Sequence, residues 1–207
     1  APILLSISPT PAFDTAKPLS LRELFTISPL GCVSIFLLGG VFSAQFGMAP
    51  VYGAQTGLSV TQISIFVSSF FMGAIFLQYP IGWISDRMDR RVLILIVAAA
   101  CGTGSLIGVF FEQFFYALVL AGLIMGGLSN PLYSLVIAYT NDFLDHSDMA
   151  AAAGGMVFIN GLGAVAGPVI TGTLMEQLGS WAFFLFVALL CFSIAGYAAY
   201  RMTRRPA

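Results

Sequence analysis

The sequence predicts an all-α membrane protein, a bundle of six transmembrane helices. Three observations predict it. The chain is 58% hydrophobic and only 8% charged, against about 25% charged in a soluble domain, so its surface cannot be covered for water. No charged residue occurs from Leu24 to Ser85, a stretch too long for one membrane crossing and the right length for two, at about 20 residues per crossing. All eight Lys and Arg fall in three short segments that a six-span layout places on one side.

The elements follow in order. Residues 1–19 carry Pro2, Pro9, Pro11 and Pro18, and proline removes a helical donor, so this part reads as a linker on the cytoplasmic side. Ser20-Leu21-Arg22-Glu23 has capping-box spacing and predicts a short surface helix. The first span is expected at about 29–54 and the second at about 61–84, with Gly53 to Ser59 as the turn between them. The third is expected at about 92–111, closed by Glu112-Gln113, and the fourth at about 115–140. An acidic loop from Asn141 to Asp148 follows, in which Ser147 and Asp148 read as N-cap and first-turn acid of a fifth span at about 149–174. The sixth is expected at about 181–200, before a basic tail. Backbone in hydrocarbon must satisfy its own hydrogen bonds, and the ten-residue alternation of a membrane barrel is absent, so the spans are helices. Residues 20–205 thus form one six-helix unit.

Lys17 and Arg22 precede the first span, Arg87, Arg90 and Arg91 lie between the second and third, and Arg201, Arg204 and Arg205 follow the sixth. The loops of the opposite end hold no Lys or Arg. This split predicts that both ends of the chain are cytoplasmic. Trp83 and Tyr200 at one border, with Tyr116 and Trp181 at the other, fit interfacial anchoring. Cys32, Cys101 and Cys191 are odd in number, far apart and set in apolar stretches, which points to packing and neither to a metal site nor to disulfides.

The most specific motif is Gly82-Trp83-Ile84-Ser85-Asp86-Arg87-Met88-Asp89-Arg90-Arg91. Gly82 is expected to let helices pack closely, and a carboxylate at a membrane border, Asp86, calls for an arginine or a helix N-terminus as partner. The segment resembles the signature loop G-x-x-x-D-R-x-G-R-R/K of the major facilitator superfamily, found between the second and third helices of each six-helix half. Gly82, Asp86, Arg87, Arg90 and Arg91 match in spacing and place, and Asp89 stands where the family has glycine, which suggests a weakened copy. The resemblance implies half of a twelve-helix fold. It also implies that Asp86, Arg87 and Arg90 act as a gate latch in alternating access; as a plain basic loop, the segment would only set topology. The lead without Met and the basic tail suggest the C-terminal half, with the N-terminal six-helix half as its partner.

Gly163-Ala164-Val165-Ala166-Gly167-Pro168 resembles the Gly-Pro motif of the family's antiporters. That motif belongs to the fifth helix of the first half, so close packing and a kink are the expected roles of Gly163, Gly167 and Pro168 here. In the family the first and fourth helices of a half line the cavity. Gln45, Met48 and Tyr52 on the first span, with Asn130, Tyr133 and Ser134 on the fourth, therefore either contact a substrate or hydrogen-bond between helices. Gln78 and Asn160 are weaker candidates of the same kind, His146 reads as a solvated loop residue, and the aromatics Phe70, Phe71 and Phe76 read as lipid-facing or packing residues.

The spans contain no Asp, Glu, Lys, Arg or His, so coupling residues are expected in the other half or not at all. The function expected is secondary transport of a small solute across the plasma (in bacteria, inner) membrane, with a coupling ion where transport is driven. The alternative is a non-transporting membrane partner in an assembly built on the same fold. No enzyme activity, cofactor, metal or nucleic-acid contact is expected. A water channel would need a second copy of Asn130-Pro131-Leu132, an intramembrane protease a histidine at membrane depth, and a P-loop ATPase its G-x-x-x-x-G-K, and none of these is present.

Overall fold

Apolar runs of this length in hydrocarbon have one backbone solution, and the computed structural model, which describes residues 19–204, has helices as its only regular elements among those residues. A lead helix α1 (Leu21–Ile27) runs into span one, which consists of α2 (Pro29–Phe42), a π-helical turn (Ser43–Met48) and α3 (Ala49–Gln55). Spans two to six are α4 (Val60–Ser85), α5 (Arg90–Phe110), α6 (Phe115–Asn141), α7 (Met149–Leu178) and α8 (Ala182–Arg204). All six are long and apolar enough to cross a membrane. The linker expected at 1–19 lies, save for Leu19, outside the described residues, as does Arg205.

Local chemistry sets the helix ends. Ser20 and Glu23 close a reciprocal capping box on α1: the Ser20 hydroxyl accepts from the Glu23 N–H at 3.2 Å, and the Ser20 N–H donates to Glu23 Oε2 at 2.9 Å. Ser59 and Gln62 repeat the device on α4. Gly57 supplies the left-handed φ of +73° in the turn between α3 and α4. At α7 the expectation shifts by one residue. Asp148, not Ser147, occupies the N-cap, and its side chain makes no capping bond because its backbone is helical (φ −95°, ψ −15°) rather than extended.

The helices pack as α2 on α7, α4 on α6 and α5 on both α6 and α8. Two crossings are set by glycine. An added Cβ at Gly163 would strike the Phe36 carbonyl, and one at Gly39 the Asn160 carbonyl, so backbones of spans one and five touch. Gly73 and Gly126 do the same for α4 and α6. Asn160 adds a bond across the first crossing, donating from Nδ2 to the Ile35 carbonyl at 3.0 Å. The core has two parts. Leu30, Ile35, Ile94, Leu132 and Ile194 fill the end that carries the arginines. Tyr52, Phe66, Phe183 and Phe184 fill the other, with Tyr52 stacked 5.1 Å from Phe183. All three cysteines are buried and free.

Burial is uneven across the bundle. In the most apolar 18-residue window of each span, 50–56% of residues are buried in spans one, three, four and six, against 22% in α4 and 17% in α7. Those two helices therefore show most of their apolar surface outward.

Candidate functional site

Two adjoining clefts at the arginine-bearing end gather most of the motif. The larger, about 690 Å³, runs from Pro29 to the α4–α5 loop and reaches Tyr139 and Arg201. The smaller, about 290 Å³, lies between α4 and α6, where Gln78, Ser134 and Pro131 line it. Asp86 and Arg90 border both.

The loop is built by its own charges. Asp89 is the N-cap of α5 and accepts the Arg91 N–H at 2.8 Å and Arg91 Nη2 at 2.9 Å. The Arg91 guanidinium beside Asp89 holds its carboxyl below the usual carboxylate range. The residue that breaks the family pattern thus starts a helix, a role that its position before Arg90-Arg91 could have shown. Arg87 folds back on its own helix, donating from Nη1 to the Trp83 carbonyl at 2.8 Å with its guanidinium 3.8 Å over the Trp83 ring. Arg90 crosses to α6, where Nη1 donates to the Ala138 carbonyl at 3.2 Å and forms an ion pair with Asp142. Asp142 carried no local signal, because it lies 52 residues from its partner.

Asp86 is the residue for which a partner was expected. It is exposed at the C-cap of α4. Among the described residues no hydrogen bond or ion pair reaches its carboxylate. Arg90 is held by Asp142 instead. Gly82 differs from expectation too: a Cβ there would meet nothing within 4 Å, so it makes no close approach inside this bundle.

The structure divides the six cavity candidates. A π turn over Ser43–Met48 interrupts the first span within the stripe of Gln45, Met48 and Tyr52. Gln45 and Tyr52 are 0% exposed inside the bundle, and Met48 is half-buried. The Ser129 hydroxyl donates to Gln45 Oε1 at 3.1 Å, while Gln45 Nε2 and the Tyr52 hydroxyl have no partner among the described residues. On α6, Asn130 bonds back to the Gly126 carbonyl at 2.9 Å, and the Tyr133 ring lies 5.7 Å from that of Phe42. Ser134 is exposed in the smaller cleft, opposite Gln78. Gly163 and Gly167 lie in the crossing of spans one and five, Gly167 against the Ser43 hydroxyl, and Pro168 stands inside α7. No group of three or more His, Cys, Asp or Glu that would hold a metal ion occurs among the described residues.

A family model described as the Major Facilitator Superfamily matches residues 31–207. An uncharacterized MFS-type transporter of Bacillus subtilis, YfkF, is 29% identical over 192 residues, which is 89% of this chain and 48% of that protein. The uncharacterized MFS-type transporter YcaD is 23% identical over 163 residues in both Salmonella arizonae and Escherichia coli, covering 79% of this chain and 42% of each relative. The chain thus spans less than half the length of the curated relatives it matches. A bundle of six apolar helices, a charged loop after the second and a family match that covers both lead to one conclusion: this multi-pass membrane chain belongs to the major facilitator superfamily.

Proposed function

We propose that this chain is the C-terminal six-helix half of a secondary active transporter that moves a small solute across the plasma membrane by alternating access. In this reading the N-terminal half, the lipid bilayer, the solute and, where transport is driven, a coupling ion are its partners. Both ends of the chain face the cytoplasm.

The observation that carries the reading is the cleft shared by Gln78 and Ser134. Each lies seven residues inside the end of its helix, about 10 Å along the axis at 1.5 Å per residue. Both are exposed. Polar side chains facing lipid at that depth are costly, so this face belongs to a watered cavity or to a second protein surface. The bare apolar faces of α4 and α7 support the same second bundle. Asp86, free of partners in its own bundle, suits a contact that forms across the interface and breaks as it rocks, with Arg87, Arg90 and Arg91 as the neighbouring charges and Gly82 leaving room for the approach. We assign Ser134, Tyr133, Asn130 and Met48 to the cavity side, and Gln45 and Tyr52 to packing behind it.

The test uses the full-length protein in sealed vesicles with a panel of small solutes. Solute-dependent accumulation or release supports the reading, and Asp86→Asn should change the rate of transport while leaving solute binding within about twofold, as expected when gating and binding sites are distinct. Protein that moves no solute in either direction yet binds a partner protein would overturn it. Reporter fusions at Gln55, Gln113 and Gln177 should read outside, and at Met88 and Asp145 inside; the reverse pattern would overturn the orientation.

A further inference from the structure

We propose that the lead helix α1 and span one form a binding slot for an anionic phospholipid, with one acyl chain in a groove beneath α1 and its phosphate at Arg22. The groove, about 320 Å³, is lined by Leu21 and Phe25 of α1, Cys32, Val33 and Phe36 of α2, and Ile159 of α7. Every lining side chain is apolar or a thiol. The groove lies near the arginine-bearing end: Cys32 stands three residues beyond Pro29, which with Ile27 borders the cleft of Arg90, Arg91 and Arg201. Its span-one wall runs from Cys32 to Phe36, four residues or about 6 Å along the helix.

The lead helix is arranged for such a ligand. Leu24 is its one buried residue and fixes it to the bundle. Leu21 and Phe25, one turn apart, are 43% and 49% exposed and form the lip of the groove. Arg22 follows Leu21 in the sequence and stands about 60° around the helix from Phe25, on the outer side of that lip. It is exposed and makes no ion pair among the described residues. The neighbouring Glu23 is turned away to cap the helix through Ser20. A free cation beside an apolar slot at the membrane border matches a negative phosphate above a hydrocarbon chain.

The groove opens between the lead helix and spans one and five. Phe36 also borders a small crevice with Phe186 and Leu190 of α8. The polar cleft of Gln78 and Ser134 opens between spans two and four instead. The slot therefore lies on a different flank of the bundle from the polar cleft.

The test places a fluorophore in the groove. In the full-length protein, with its other tryptophans (Trp83 and Trp181 in this chain) replaced by phenylalanine, Phe36→Trp is reconstituted in vesicles containing brominated phosphatidylglycerol or brominated phosphatidylcholine. Half-maximal quenching is expected at about fivefold lower mole fraction of the anionic lipid, the ratio one basic residue gives at a membrane surface. Adding Arg22→Gln should erase the difference. Equal quenching by both lipids, unchanged by Arg22→Gln, means only the ordinary lipid annulus and overturns the proposal. Absence of quenching by either lipid means that protein covers the groove, which overturns it too. Should the tryptophan variant not fold, native mass spectrometry of the wild-type protein and Arg22→Gln decides the matter. Retention of phosphatidylglycerol over phosphatidylcholine that is lost in the variant supports the slot, and equal retention refutes it.

Discussion

Arg90 reaches from the first turn of span three to the last turn of span four, where it bonds both the Ala138 carbonyl and the Asp142 carboxylate. The pair closes the arginine-bearing end of the α5–α6 contact. Its side chains are 28% and 49% exposed. Asp142→Asn should therefore cost less than about 1 kcal/mol in the unfolding of detergent-solubilised protein, because water screens the pair and the carbonyl bond survives. The exchanged pair Arg90→Asp with Asp142→Arg should recover part of any loss seen in the single charge reversals.

Gln45 and Ser129 behave differently because both are fully buried. Ser129→Ala leaves the Gln45 amide with neither end partnered and should lower stability by about 1 kcal/mol, the usual size of an interhelical bond in a membrane protein. Gln45→Leu with Ser129→Ala removes the orphaned amide along with its partner. A double-mutant cycle read by thermal unfolding should show the double change costing less than the sum of the singles.

Gly163 and Gly161 sit two residues apart on α7 and predict opposite outcomes. Gly163→Ala drives a Cβ into the Phe36 carbonyl and should cost about 1–3 kcal/mol, or folding yield, as overpacking does. Gly161→Ala enters open space and should leave the six-helix packing within about 0.5 kcal/mol. Comparing yield and thermal unfolding of the two variants checks this.

Asp89 gives a pH dependence. Its folded-state carboxyl titrates below the ordinary value because Arg91 bonds the charged form. The stability it lends is therefore complete above the unfolded Asp value of about 3.9 and is lost as pH falls through the lower folded value. The difference in melting temperature between wild type and Asp89→Asn should shrink between about pH 6 and about pH 3, and by a modest amount, since the side chain is 38% exposed.

The spans were legible because charge punctuates the sequence: an uncharged run from Leu24 to Ser85 cannot be anything but two crossings. The capping boxes at Ser20 and Ser59 are equally local, each serine standing three residues before a Glu or Gln. What escaped was register and distance. Nothing in the composition of Ser43–Met48 announces a π turn, and spacing alone left open whether Gln45, Met48 and Tyr52 meet a solute or a neighbouring helix; the structure buries Gln45 and Tyr52 and bonds Gln45 to Ser129. Asp142 could not be linked to Arg90 from spacing alone. An arginine or a helix N-terminus was expected beside Asp86 and a close helix approach at Gly82; among the described residues Gly82 borders open space and the Asp86 carboxylate makes no bond.

The π turn has a consequence for how span one tolerates change in length. Deleting a residue from an ordinary helix rotates everything beyond it by about 100° and turns buried side chains outward. A π turn holds one residue more than the α-helix around it. Excising the exposed Gly47 would absorb that surplus. Tyr52 would then keep its place against Phe183 and Phe184, and span one would come out a residue shorter with both of its ends still facing their neighbours. The same deletion in the uninterrupted helix α5 would have no surplus to draw on.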